Sequence, residues 1–118
     1  MCTIEGPFFG GKIKELFEKS PLGVPRDELL SGMAGLSIVL DPASIVIGKI
    51  TGTYYNEADK WWYLYATLFE DTPPTVNGLA IEVYANRGPD GTPENIRVRH
   101  VCVLPDPWDD YARFKVRE

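Results

Sequence analysis

Residues Ile45 to Phe69 constrain the fold of this chain more than any other stretch. Two runs rich in β-branched and aromatic residues, 45–55 and 61–69, flank the polar segment Asn56-Glu57-Ala58-Asp59. That is the pattern of a β-hairpin. Seven aromatic residues fall within positions 54–69, with Gly48 and Gly52 on the facing run. Glycine across from a large ring admits bulk and bends a sheet. A curved antiparallel sheet carrying large rings is therefore the starting expectation.

A four-residue loop pairs Tyr55 with Lys60. It sets Tyr54 opposite Trp61, Gly52 opposite Tyr63 and Ile50 opposite Tyr65; a three-residue loop would reverse the parity. Side chains alternate along a strand, so Trp61, Tyr63 and Tyr65 share one face with Tyr54, and Trp62 and Tyr55 share the other. The first set is expected to point into a concavity that His100 also lines.

The remaining strands follow from the same pattern. Ser37-Ile38-Val39-Leu40 reads as a strand and Asp41-Pro42-Ala43 as a turn. The consecutive prolines of 71–77 make a loop, because they cannot sustain a hydrogen-bonded ladder. Gly78 to Asn86 and Asn95 to Leu104 form a second hairpin around the turn-rich segment 87–94, and Pro105 ends it. Pairing Asn86 with Asn95 places Glu82 opposite Arg99 and Tyr84 opposite Arg97, an ion pair and a cation–π pair on an exposed face. Leu79, Ile81 and Val83 then meet Val98, His100 and Cys102 on the core face.

Helical spacing is confined to the ends. Ile13, Leu16 and Phe17 fall at i, i+3, i+4 within 11–20. Pro25 suits the first turn of a second helix that carries Leu29, Leu30 and Met33 inward. Near the end of the sequence, Asp106 is placed to cap a short helix burying Trp108, Tyr111 and Ala112. Alternation at Phe114 and Val116 suggests a last edge strand. With 118 residues the chain is expected to be a single α+β domain over 1–118. Its expected architecture is two short N-terminal helices packed on a curved five- to six-stranded antiparallel meander, curled as far as a half-barrel.

Charge and cysteine content narrow the function classes. A net charge of −5 excludes nonspecific binding to phosphate backbones and is too mild to mark a mimic of nucleic acid. Two cysteines make no disulfide framework, so a reducing compartment, the cytoplasm, is expected. The first residues lack a basic segment and a long apolar core, and no apolar run is long enough to span a membrane.

Candidate chemistry is sparse. His100 is the one histidine, either a general acid or base at the floor of an aromatic pocket or a core imidazole bonded to a hydroxyl or carbonyl. His100 and Cys102 offer two metal ligands where zinc wants three or four, so neither metal nor cofactor is expected. Cys2 as an N-terminal nucleophile of the amidotransferase kind lacks the chain length such a layered fold needs; a small residue near a disordered end is the simpler reading. Asp90, Glu94, Asp106, Asp109 and Asp110 do not follow the spacing of a calcium loop. Gly10-Gly11-Lys12 lacks the preceding strand of a phosphate loop.

The aromatic cluster of Tyr54, Tyr55, Trp61, Trp62, Tyr63 and Tyr65 remains. It lacks the interleaved basic residues of nucleic-acid sites but has the composition of protein-binding hot spots. The expectation is a small non-enzymatic protein that binds another macromolecule in an accessory or inhibitory role, as viral and mobile-element proteins do. The expected partner is a protein, a second copy of the chain included, and neither nucleic acid nor a membrane. The alternative is a curved-sheet pocket that binds or converts a small apolar molecule. There His100 would be acid or base, Tyr63 and Tyr65 orienters, and Trp61 a stacking wall.

Overall fold

The computed structural model describes residues 1–117. Seven strands and two short helices occur in the order β1 (Cys2–Phe9), α1 (Gly11–Lys19), α2 (Asp27–Ser31), β2 (Ser37–Leu40), β3 (Ile45–Asn56), β4 (Trp61–Leu68), β5 (Gly78–Arg87), β6 (Pro93–Leu104) and β7 (Lys115–Arg117). All seven strands form one sheet, ordered β5-β6-β2-β3-β4-β1-β7. The α+β class stands. The sheet is mixed rather than a pure antiparallel meander, because β2 runs parallel to β6. Among the described residues, no helix is long and apolar enough to cross a membrane.

The main departure from the sequence reading is β1. The chain opens on a strand, and both helices lie between β1 and β2. Ile4 and Phe8 of this strand are completely buried, and Cys2 is half-buried against the core rather than loose near a chain end. Gly6-Pro7 hides the strand from a propensity reading, yet both residues fit their places. β7 pairs with Thr3–Glu5, so Pro7 lies beyond the β1–β7 ladder, where a missing N–H costs no ladder bond on that side. At Gly6 a Cβ would stand 2.5 Å from the Phe114 Cα, so the close approach of the tail requires glycine.

The core is built from alternate positions of the central strands. Leu64, Ala66 and Leu68 of β4 face inward with Ile4, Ile38, Ile50, Leu79, Val101 and Val103. Each such side chain removed from water contributes on the order of 2 kcal/mol. Ile13 of α1, together with Leu30 and Met33 around α2, extends this core. Leu16 is exposed and Phe17 only half-buried, so the apolar stripe of α1 is narrower than its spacing suggests. The linker after α2 joins the sheet by Gly35 N–H to Ile50 O (2.8 Å) and Ile50 N–H to Leu36 O (2.8 Å).

Single-residue bulges decide which faces the side chains occupy. Asn56 pairs with Trp61 and Tyr54 with Tyr63, two residues off the expected register. Between Ile50 and Gly52 an extra residue, Thr51, interrupts β3, so Ile50 pairs with Ala66 instead of Tyr65 and Gly48 with Leu68 instead of Thr67. In the second hairpin Tyr84 pairs with Arg97 as expected. Arg99 is then the bulged residue, and Glu82 meets His100 rather than Arg99. The core partners of Leu79 and Ile81 are consequently Val103 and Val101, not Cys102 and His100. A bulge turns every later side chain to the other face, which accounts for both corrections.

The segment after β6 forms turns instead of a helix. Trp108 and Tyr111 are largely exposed, while Ala112 and Phe114 are buried. The expected last strand is present as β7, paired with β1. Asp109 caps a helix, but a distant one: its Oδ2 accepts the Lys12 N–H in the first turn of α1 at 2.9 Å. A backbone bridge between Gly78 and Arg113 also ties this segment to β5.

Candidate functional site

Register and alternation assemble a layer of tyrosines on the outer side of β3 and β4. Tyr54 pairs with Tyr63, Gly52 with Tyr65, and Tyr65 in turn with Glu5 of β1. These residues lie opposite the buried Leu64 and Ala66. Tyr54 and Tyr63 stack at 5.2 Å between ring centroids, 15° from parallel, and Tyr54 and Tyr65 lie 5.3 Å apart at 34°. Gly52 leaves open space beside the rings, since a Cβ there would meet nothing within 4 Å.

Carboxylates hold both ends of the layer. The Tyr54 hydroxyl donates to Glu5 Oε2 at 2.5 Å. The Tyr63 hydroxyl donates to Asp59 Oδ2, and the Tyr111 hydroxyl donates to the same oxygen at 2.7 Å. Asp59 Oδ1 accepts the Trp61 N–H at 3.1 Å. Burial pushes the Asp59 carboxyl upward, but the hydrogen bonds from Tyr63, Tyr111 and Trp61 outweigh it and hold the group below its ordinary value. Burial and then the hydrogen bond to Glu5 raise the Tyr54 phenol. Burial and then Asp59 raise that of Tyr63. Both tyrosines are thus neutral donors fixed toward carboxyl acceptors.

At the β1 side Arg117 completes the arrangement. Its guanidinium carbon lies 5.2 Å from the Tyr65 ring centroid, and its Nη1 is 3.4 Å from Glu5 Oε1. Near the turn, Trp61 is buried with its ring against Gly10 and Gly11 and 5.0 Å from Tyr111. Its place is structural, because a Cβ at Gly10 would stand 2.6 Å from the indole. Tyr55 and Trp62 lie on the opposite face, 5.6 Å apart, with Tyr55 exposed and Trp62 half-buried.

Trp61, Tyr63 and Tyr65 therefore share a face as expected, and Tyr55 and Trp62 share the other. The structure does not bring His100 to them: β2 and β3 lie between β6 and β4. His100 sits instead on the face of β6 that bears Cys102, with its Nε2 3.0 Å from Glu82 Oε2 on β5. A cleft of about 420 Å³ opens beside this group, lined in part by Phe17, Asp41, Glu82, Cys102 and Trp108. Burial, followed by the charge of Glu82, pushes the Cys102 thiol up to about 12.

Glu5, Asp59, Tyr111 and Arg117 were not singled out in the sequence. Asp59 read as a turn residue, and nothing in a linear pattern links Glu5 to Tyr54 or Asp59 to Tyr111. In comparisons with known proteins, no family model, no curated protein and no solved structure matches the chain.

Proposed function

We propose that this chain is a non-enzymatic protein-binding module whose tyrosine layer receives arginine side chains of a basic partner protein. The observation that carries this reading is Arg117. Stacked on Tyr65 and paired with Glu5, it is an internal example of the contact a partner would make. A guanidinium over a tyrosine gains about 0.5–1 kcal/mol at an exposed site and more where water is excluded. Tyr63, with Asp59 at its rim, offers the same pairing of ring and carboxylate a few ångströms away. The net charge of −5 would speed the approach of a basic surface.

An accessory or inhibitory role suits this layer, which presents ring faces and carboxylates to a partner. A sheet curved as far as a half-barrel belongs to the same proposal, since it would turn the tyrosines outward to a partner.

The test is a titration with a short arginine-containing peptide and with its glutamine counterpart, followed by nuclear magnetic resonance of the tyrosine rings. Shifts of Tyr54, Tyr63 and Tyr65 with the arginine peptide alone, weakened by salt, are expected. Arg117→Ala should tighten binding, because it vacates Tyr65 and Glu5. Equal response to both peptides, or shifts confined to other residues, would overturn the proposal.

A further inference from the structure

We infer that Glu82, His100 and Cys102, exposed, half-buried and buried in turn, form a binding site for a zinc-like divalent cation across β5 and β6. One carboxylate oxygen, one imidazole nitrogen and the thiol sulfur all lie within 4.8 Å of one another. Tetrahedral zinc holds its nitrogen, oxygen and sulfur donors at about 2.0–2.3 Å. Donors spaced as these are would close on a shared ion through small side-chain rotations. Thiolate, imidazole and carboxylate together are a set that zinc accepts, whereas magnesium and calcium take oxygen donors.

The backbone shows how the site is assembled. Without the bulge at Arg99, His100 would point into the core with Val98, and Glu82 would face Arg99. The extra residue turns His100 outward, directly opposite Glu82 and on the same face as Cys102. Bulges are enriched where a side chain must be re-aimed at a functional position. Cys102 pairs with Ala80 and is buried beside it.

The surroundings suit a metal as well. The adjoining cleft has apolar walls, among them Phe17 and Trp108, and Asp41 lies at the same cleft. Low-dielectric walls strengthen the attraction between a cation and its ligands. Charge balances on binding: the thiol releases its proton to solvent, Glu82 binds as carboxylate and His100 as neutral imidazole. The ion's two positive charges are then matched by thiolate and carboxylate. Three protein donors leave a fourth tetrahedral position free for a water or an exchangeable ligand.

Cobalt(II) reads this site directly. Added alone to reduced, chelator-treated protein, it is expected to bind at one equivalent, with tetrahedral ligand-field bands and a thiolate-to-cobalt charge-transfer band. Zinc should abolish both. Cys102→Ser should remove the charge-transfer band, and Cys2→Ser should leave it intact. Glu82→Gln, at an exposed position that keeps the fold, should weaken binding by at least about tenfold, the loss that even outer-shell changes produce. No tetrahedral spectrum, a charge-transfer band that disappears with Cys2→Ser, or unchanged affinity in Glu82→Gln would each overturn the assignment.

Discussion

Asp59 joins the turn of the first hairpin to the tyrosine layer, and Asp59→Asn tests that joint with almost no change of shape. The carboxylate accepts two phenol hydroxyls and one backbone N–H. Hydrogen bonds to a charged acceptor contribute about 1.5–3 kcal/mol each. Tyr111 is half-exposed, so solvent takes back much of its share. The amide oxygen of asparagine can still receive the Trp61 N–H. What is lost is one strong bond from Tyr63 and part of another, about 2 kcal/mol at neutral pH. With an unfolding entropy of about 2.1 cal/mol/K per residue, that lowers Tm by about 8 °C for a chain of this length. The pH dependence gives the sign. A carboxyl held below its ordinary value of 3.8 contributes stability that is fully present above that value and is lost as pH falls through the folded-state value. The gap between wild type and Asp59→Asn in urea unfolding should therefore be largest at pH 6–7. It should close as pH drops below about 3.8. Identical stabilities at pH 7, or a gap that persists unchanged in acid, would refute the assignment of an ionised shared acceptor.

Two further substitutions probe the tail. Asp109→Ala removes the acceptor for the first turn of α1 and should cost about 1 kcal/mol. Hydrogen exchange should show faster opening of the α1 amides while those of β3 and β4 stay protected. Gly6→Ala places a methyl 2.5 Å from the Phe114 Cα and should cost about 2–3 kcal/mol, with calorimetry reading the loss. A stable Gly6→Ala protein would show that the tail can give way without penalty.

The strands were legible because alternation and turn chemistry are local. Tyr84 opposite Arg97 followed from charge and ring matching alone. The bulges at Thr51 and Arg99 were not legible, since one extra residue in a ladder leaves the composition on either side unchanged. Yet each decides a face, and the Arg99 bulge decides that His100 meets Glu82 rather than the core. β1 was obscured because Gly6-Pro7 reads as a breaker, although Pro7 lies beyond the β1–β7 ladder. Asp109 serves the first turn of α1 rather than a helix in its own segment. Its partner lies 97 positions earlier, and no window of sequence contains both.

The placement of β1 between β4 and β7 has a consequence for how the molecule assembles. A strand near one end of the chain is held by β4 at mid-sequence and by β7 near the other end, and α1 takes its cap from Asp109. Contacts this distant in sequence carry the loop-closure cost before they return any stabilisation, which slows folding and couples its parts. β1 therefore waits for the last strand to complete its pairing. Arg117 reaches Tyr65 only once that wait is over, so an ordered tyrosine layer reports that the whole sheet has closed around β1.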